Sequence, residues 1–290
     1  MNSKEGRTFG NAWMYTALIG ILKHVNIRVL YVFMSVCIIP ITLLVSPGAK
    51  LTYSYYRKKK RMNCFVSLLW TYKNHVVFGQ TVIDKFAMYA GHHFIVNYHG
   101  IDYFQHLSQQ PSAFIQLSAH IGCSEIVGYS YDSIKPSNVL VYGGEHNDFM
   151  KYRESAFGNK NIKMIPVGAG EDHSEEIIEA LDRNEIVHAF VDRFMNTKKT
   201  IISKLHGHTV RLAKGPFSIA VTRGLDVIMT CAMKETDGSY TTYMTPLFYD
   251  KNKEKRVQCQ QLADAYTSEI EKLLLMYPDQ WFNYSDIWVD

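Results

Sequence analysis

The sequence lacks the patterns that mark several common protein classes. Its five cysteines are scattered and include no Cys-x-x-Cys pair, which argues against a disulfide scaffold or a cysteine zinc site and suits a reducing compartment. There is no His-Glu-x-x-His, no Gly-Lys-Ser/Thr phosphate loop and no complete dinucleotide fingerprint, so we expect no metal and no redox cofactor. The net charge is only +4, which does not suggest a nucleic-acid partner.

The overall composition is that of a folded protein. Hydrophobic residues make up 47% of the 290 positions and charged residues 20%, which excludes a disordered chain. A chain of this length buries a full core. We expect two parts: a membrane-associating N-terminal segment over residues 1–62, and an α/β domain over residues 63–290.

The N-terminal segment contains an uncharged run of 21 residues, from Val29 to Ala49. At about 1.5 Å per residue, a helix of this length just crosses a hydrocarbon core of about 30 Å. Pro40 interrupts its middle and Pro47 its end, so a kinked helix lying shallowly in the membrane is an alternative to a spanning one. A core helix buried in the protein is a third interpretation.

A basic run, Arg57 to Arg61, follows the apolar segment and favours an anionic membrane surface, although a solvated linker has the same composition. Because the denser cations lie after the segment, a spanning helix would leave the catalytic domain in the cytoplasm.

Strand-like and helix-like segments alternate along the rest of the chain, which predicts an α/β fold with a mostly parallel central sheet flanked by helices. We place strands at 94–98, 113–117, 139–142, 162–167, 186–191 and 227–232, an edge strand at 240–247, and two shorter strands at 199–205 and 209–212. We place helices at 101–108, 124–131, 148–157, 174–182, 216–222 and 254–276, and one or two more over 65–90.

The block from Phe114 to Gly128 combines a buried strand, a turn and a helix start, and it carries His120 and Glu125 five residues apart. If His120 lies on the turn and Glu125 in the first helical turn, the carboxylate can fix the tautomer of the imidazole. The imidazole then acts as a general base toward a hydroxyl. Free N–H groups at the helix start would stabilise an oxyanion. Such a pair is expected about once by chance in this composition, so an unrelated His and surface Glu are the alternative.

This block resembles the His-x4-acidic motif of the lysophospholipid acyltransferase superfamily, and specifically its late lipid A acyltransferase branch (lauroyl and myristoyl transferases). The resemblance implies a fold like that of glycerol-3-phosphate acyltransferase. It also implies an enzyme that moves a fatty acyl chain from an acyl-carrier-protein or coenzyme A thioester to a lipid hydroxyl, without a cofactor. The partners would be that thioester, a lipid acceptor and the inner membrane, with catalysis on the cytoplasmic side.

Other blocks in the same order are similar to the family pattern. Asp192 matches the acid of a family Asp-Gln pair and is a substrate-site candidate, while Arg193 stands where Gln is usual and would contact an anion. Lys214 and Gly215 precede a helix start and are candidates for binding phosphate or phosphopantetheine. The family's arginine after the catalytic pair has two candidates in this sequence, Arg153 and Lys160, and we assign the role to Arg153.

The C-terminal stretch from Pro278 to Trp288 is similar to the family's Pro-x-x-Trp ending but lacks the usual basic residues. We interpret its aromatic side chains as covering the core or touching lipid. The prediction is therefore a membrane-associated O-acyltransferase of lipid A biosynthesis. Transfer to a lysophospholipid, an aminolipid or an aryl-polyene lipid, hydrolysis of the acyl group, and lipid binding without catalysis remain alternatives.

Overall fold

Seven strands form one central sheet in this computed structural model, which describes residues 12–130, 133–142, 161–167, 174–194 and 197–289. Their order across the sheet is β1-β9-β8-β2-β5-β3-β4, and β6 and β7 form a separate hairpin. The strands are β1 (Val96–His99), β2 (Phe114–Ser118), β3 (Ser137–Tyr142), β4 (Ile162–Val167), β5 (Ile186–Phe190), β6 (Thr200–Leu205), β7 (His208–Ala213), β8 (Asp226–Lys234) and β9 (Tyr240–Leu247).

Neighbouring strands of the central sheet run parallel except for the β8–β9 pair. The mostly parallel α/β fold predicted from the sequence is therefore confirmed. The placement of β9 at the edge was wrong, because β1 pairs with its outer side from Val96 to His99. That pairing joins segments more than 140 residues apart, and the local pattern of either strand carries no trace of it.

The helices cover both faces of the sheet. Because successive side chains of a strand point to opposite faces, Ile115 packs against one helical layer and Phe114 against the other. One layer holds α8, α9 and α10, and the other holds α5, α6 and α7. Their bounds are α5 (Cys64–Tyr89), α6 (Ile101–Gln109), α7 (Ser124–Ser130), α8 (Ser174–Asp182), α9 (Gly215–Arg223) and α10 (Lys255–Met276), preceded by α1 (Ala12–Leu22), α2 (Ile27–Phe33), α3 (Ile39–Val45) and α4 (Pro47–Ser54).

The apolar run forms a helix that continues from Ile27 to Val45. Pro40 does not end it, because a π-helical turn at Met34–Ile38 precedes the proline and absorbs the break in hydrogen bonding. The helix stops at Ser46, whose hydroxyl caps α4 by accepting from Gly48 N–H. Within the described part of the chain, the Ile27–Val45 helix is the one that is both long enough and apolar enough to cross a membrane.

A buried carboxylate ties this apolar helix to the sheet. Asp84 of α5 is fully buried and accepts hydrogen bonds from the hydroxyls of Tyr31 and Tyr240 and from the ammonium of Lys234. A buried charge is tolerated only when it is paired and hydrogen-bonded in this way. Helix α2, helix α5 and the end of β8 are therefore fixed to one another.

Two predictions about organisation are not decided by this architecture. The helix predicted over 148–157 lies outside the described residues. The division into two parts at residue 62 stays a prediction, although α5 begins at Cys64 and is one continuous helix, where the sequence allowed one or two.

Candidate active site

The candidate site lies where β2 and β5 end side by side. The two strands are parallel, and Ser118 pairs with Phe190 in their register. His120 and Asp192 each lie two residues beyond those paired positions, so the fold brings them together. The carboxyl ends of parallel strands are the usual place for a ligand site in α/β sheets.

The His120 imidazole is held by the carboxylate of Asp192. Its Nδ1 lies 2.7 Å from Asp192 Oδ1, and the backbone N–H of His120 donates to Asp192 Oδ2 at 2.9 Å. Since a carboxylate only accepts, Nδ1 carries the hydrogen and Nε2 presents its lone pair. The His120 side chain is 30% exposed, and no hydrogen-bond partner of Nε2 lies among the described residues. This is the geometry of a general base open to a substrate.

Asp192 is ionised despite being fully buried. Burial raises the pKa of its carboxyl, but the attraction and hydrogen bonding of His120 and the charge of Arg193 outweigh burial and leave the pKa below its ordinary value. The site therefore holds a negative charge that stabilises a proton on the neighbouring imidazole.

The C-terminal segment completes the surroundings of Asp192. The indole N–H of Trp281 donates to Asp192 Oδ2 at 3.2 Å, and the amide of Asn283 donates to the backbone oxygen of Asp192 at 2.5 Å. Arg193, expected to contact an anion, donates to the oxygen of Phe282 at 2.8 Å and to Asn283 Oδ1 at 3.3 Å. These contacts give Arg193 a role in fixing the C-terminal segment, and its anion contact stays a prediction.

The turn after His120 requires a glycine. Gly122 has a φ of +62°, and a Cβ there would lie 2.0 Å from the backbone oxygen of Ala232. Its N–H donates to Gln280 O at 2.9 Å, and Cys123 N–H donates to Ala232 O at 2.8 Å. These two N–H groups already have partners, so neither is available for the oxyanion that we placed at this helix start.

Glu125 occupies the first turn of α7, as predicted. Its carboxylate lies 3.2 Å from Lys85 Nζ and accepts from Ser124 Oγ at 2.9 Å. The orienting role that we assigned to Glu125 belongs to Asp192 in this geometry, because Nδ1 of His120 has a single hydrogen and Asp192 accepts it. A catalytic contribution of Glu125 stays a prediction.

Two further candidates lie close to the site along the backbone. Ala213 N–H donates to the backbone oxygen of Val191 at 2.9 Å. Ala213 is the residue before Lys214, and Val191 is the residue before Asp192, so the two chain segments lie side by side here. Lys214 is exposed, and Gly215 begins α9 with open space at its Cα. Their binding of a phosphate-containing donor stays a prediction. Arg153 lies outside the described residues.

Two rings of β5 form a row with the ring of His120. Phe190 lies 5.1 Å from the ring of His120 and 5.2 Å from the ring of His188. His188 is buried, and burial lowers its pKa to about 4. Its Nε2–H donates to Ser118 Oγ at 2.7 Å, since the Ser118 hydroxyl already donates to Thr230 O.

A cavity of about 30 Å³ opens beyond His188, between β3, β5 and α7. Its walls are mainly apolar, and it has room for one or two water molecules but not for a fatty acyl chain. In the described part of the chain, no group of three or more His, Cys, Asp or Glu side chains could hold a metal ion. The expectation that no cofactor is needed stays a prediction.

Sequence reasoning missed two residues of this site. No local sequence pattern marks Lys85 as a site residue, because its ion-pair partner Glu125 lies 40 positions away on another helix. Trp281 was noticed in the C-terminal motif but interpreted as cover. It does cover the core, being 7% exposed, and it also reaches the carboxylate.

The comparison with protein families decides the assignment. The family model described as bacterial lipid A biosynthesis acyltransferase matches residues 83–288, which include every described residue of the site. The chain belongs to this family. The lipid A acyltransferase resemblance stated from the His120 block is therefore confirmed, and the protein is an acyltransferase that acts on lipid.

Comparisons with solved structures and with curated proteins give no further information about the site. A crystal structure of the 1-acyl-sn-glycerophosphate (LPA) acyltransferase PlsC from Thermotoga maritima is similar over 93% of this chain and 99% of that chain, with 11% identity and a TM-score of 0.38. A likeness this distant supports no argument about the site. No curated protein matches the chain.

Proposed function

We propose that this acyltransferase moves a fatty acyl chain from an acyl-carrier-protein thioester, or a coenzyme A thioester, to a hydroxyl of lipid A or its precursor. The observation that carries the proposal is the His120–Asp192 pair, with Nδ1 bonded to a buried carboxylate and Nε2 open to the outside. His120 is the general base and Asp192 orients it, while Glu125 forms an ion pair with Lys85.

The proposed reaction has two proton transfers and one acyl transfer. Nε2 of His120 takes the proton of the acceptor hydroxyl as the oxygen attacks the thioester carbonyl. The carbon–sulfur bond then breaks, and the leaving thiolate takes the proton back from the imidazolium. The products are an ester and a free thiol. Asp192 stays ionised throughout and stabilises the imidazolium.

The family description and one exposed cation support the proposed acceptor and donor. The description of the matching family names lipid A biosynthesis, which favours lipid A over a lysophospholipid, an aminolipid or an aryl-polyene lipid. Exposed Lys214, directly after the residue bonded beside Asp192, provides a cation for the phosphate of a phosphopantetheine arm. Either thioester donor carries that arm.

A purified enzyme with His120→Ala tests the chemistry. We expect transfer to fall roughly 10²-fold to 10⁴-fold, because the general base is lost, while His106→Ala, at an exposed histidine on α6, keeps wild-type activity. Full activity of His120→Ala with an intact fold would remove His120 from the mechanism. Counting free fatty acid against acylated lipid separates transfer from hydrolysis, and lipid bound without turnover of any thioester would indicate a binding protein.

Mass spectrometry of lipids from a deletion strain and its complemented parent tests the acceptor. Loss of one acyl chain from lipid A supports the proposal. An unchanged lipid A, with a change in another lipid, assigns that lipid as the acceptor.

We also propose that the Ile27–Val45 helix lies in one leaflet, on the cytoplasmic side of the inner membrane. Its inner side is bonded to the catalytic fold, through Tyr31 to Asp84 and through Ser35 O to the hydroxyl of Tyr72. Spanning the bilayer would pull the end of the central sheet into hydrocarbon, where its polar groups have no partners. Its outer side is exposed and apolar, as shown by Val29, Val32, Phe33, Val36, Ile41, Leu44 and Val45.

Cysteine labelling tests this arrangement. We first replace the exposed cysteines Cys37 and Cys64 with serine. A single cysteine is then introduced at Lys23, before the helix, or at Lys50, after it; both positions are exposed. We expect a membrane-impermeant maleimide to reach both positions from the cytoplasmic side. Labelling of the two positions from opposite sides would establish a spanning helix.

A further inference from the structure

The last described segment of the chain is bonded directly to the catalytic loop. Phe282 N–H donates to His120 O at 2.7 Å, Gly122 N–H donates to Gln280 O at 2.9 Å, and Ile121 forms an antiparallel bridge with Trp281. The backbone of 280–282 thus acts as a short strand against the loop that carries the general base.

Trp281 adds a side-chain contact to this bridge. Its indole N–H is the second donor on Asp192 Oδ2, beside the backbone N–H of His120. Two donors on Oδ2 fix the plane of the carboxylate and leave Oδ1 for the imidazole. Indole nitrogen only donates, so this contact favours the ionised carboxylate and opposes its rotation.

A covering role alone does not require this contact. Trp288 packs on Trp281 with ring centroids 6.2 Å apart and stacks on Tyr55 at 6.0 Å, so it shares the same aromatic cluster. Among the described residues, the Trp288 indole makes no hydrogen bond to Asp192. The two tryptophans are therefore a matched pair: both pack, and one also reaches the carboxylate.

We propose that Trp281 is a positioning residue for acyl transfer, acting on His120 through Asp192. The inference rests on the proposed function, since it takes His120 as the general base. It assigns the C-terminal Pro-x-x-Trp stretch a part in setting the geometry of the base, in addition to covering the core.

The test compares Trp281→Phe with Trp288→Phe in the full-length enzyme. We expect Trp281→Phe to lower kcat about tenfold to 100-fold, the loss that corresponds to one hydrogen bond to a charged group. KM for both substrates should stay within about twofold, because Trp281 is only 7% exposed and presents little surface to a substrate. Trp288→Phe should leave both kcat and KM unchanged.

A double mutant separates positioning from packing. If Trp281 acts through Asp192, adding Trp281→Phe to Asp192→Ala lowers kcat no further. Should Trp281→Phe fail to fold, a benzothienylalanine at 281, with sulfur in place of the N–H, keeps the shape and gives the same test. A wild-type kcat for that replacement, with His120→Ala inactive, overturns this inference and leaves the proposed function standing. An active His120→Ala overturns the proposed function itself.

Discussion

Replacing Asp192 with asparagine exchanges one carboxylate oxygen for an NH₂ group, and it therefore tests the His120–Asp192 pair directly. The two carboxylate oxygens have different partners: Oδ1 faces His120 Nδ1, and Oδ2 accepts from His120 N–H and from Trp281 Nε1–H. Asparagine has one oxygen and one NH₂ group. Its oxygen belongs where the two donors converge, because the opposite orientation would set the NH₂ against both of them.

In this orientation the NH₂ group of the asparagine points at His120 Nδ1. Nδ1 must accept, so the hydrogen moves to Nε2, and the nitrogen facing the substrate can no longer take a proton. Restoring the active tautomer leaves two buried donors unpaired at roughly 1–3 kcal/mol each, about 2–6 kcal/mol in total. At about 1.36 kcal/mol per factor of ten, kcat should fall roughly 30-fold to 10⁴-fold.

The assay follows thiol release and ester formation by purified enzyme in mixed micelles. Asp182→Asn, an exposed aspartate at the end of α8, is the control and should match wild type. Thermal unfolding checks that both variants fold. If Asp192→Asn turns over within about threefold of wild type, Asp192 does not set the tautomer, and the argument from the hydrogen-bond geometry fails.

Two further changes test the loop and the sheet beneath it. Gly122→Ala should abolish measurable transfer and lower the melting temperature, because its Cβ would lie 2.0 Å from Ala232 O. The control is Gly207→Ala, where φ is also positive but the space around the glycine is open. This control should keep activity, so the comparison separates the effect of the clash from that of the backbone strain. His188→Gln keeps an N–H for Ser118 and should flatten the pH dependence of stability. Burial lowers the pKa of His188 to about 4, whereas in the unfolded chain a histidine has a pKa of about 6.5. The unfolded chain therefore binds a proton first as the pH falls, and the free energy of unfolding of the wild type drops by roughly 2 kcal/mol between pH 7 and pH 5. Urea unfolding of both proteins at those two pH values measures the difference, and equal slopes would contradict this reading of His188.

The architecture was predictable because its signals are local. Alternating apolar segments and short turns placed most strands and helices of the described chain within a few residues of their observed bounds. The position of β9 was not predictable, because its outer neighbour β1 is set by pairing between distant segments. The π-helical turn before Pro40 was not predictable either, since it depends on backbone geometry that composition does not reveal.

The site divides in the same way. His120 and Asp192 were both candidates because their blocks resemble the family pattern, but the hydrogen bond between them was not predicted. It follows from β2 and β5 being neighbours in register, and sequence order does not give sheet order. Glu125 is the nearer carboxylate along the chain, but Asp192 is the one that accepts from His120 Nδ1 in the folded protein. Trp281 lies 89 positions from Asp192, so only the folded chain shows what its indole nitrogen contacts.

The buried cluster around Asp84 has a consequence for biosynthesis. Lys234 leaves the ribosome 150 residues after Asp84, an interval of roughly 8–30 s at about 5–20 residues per second. During that time α5 already provides partners for the inner side of the Ile27–Val45 helix, but Asp84 lacks its ammonium partner and the outer apolar side of the helix stays uncovered. Under the proposed membrane association of this helix, the nascent chain is expected to reach the bilayer before its sheet is complete.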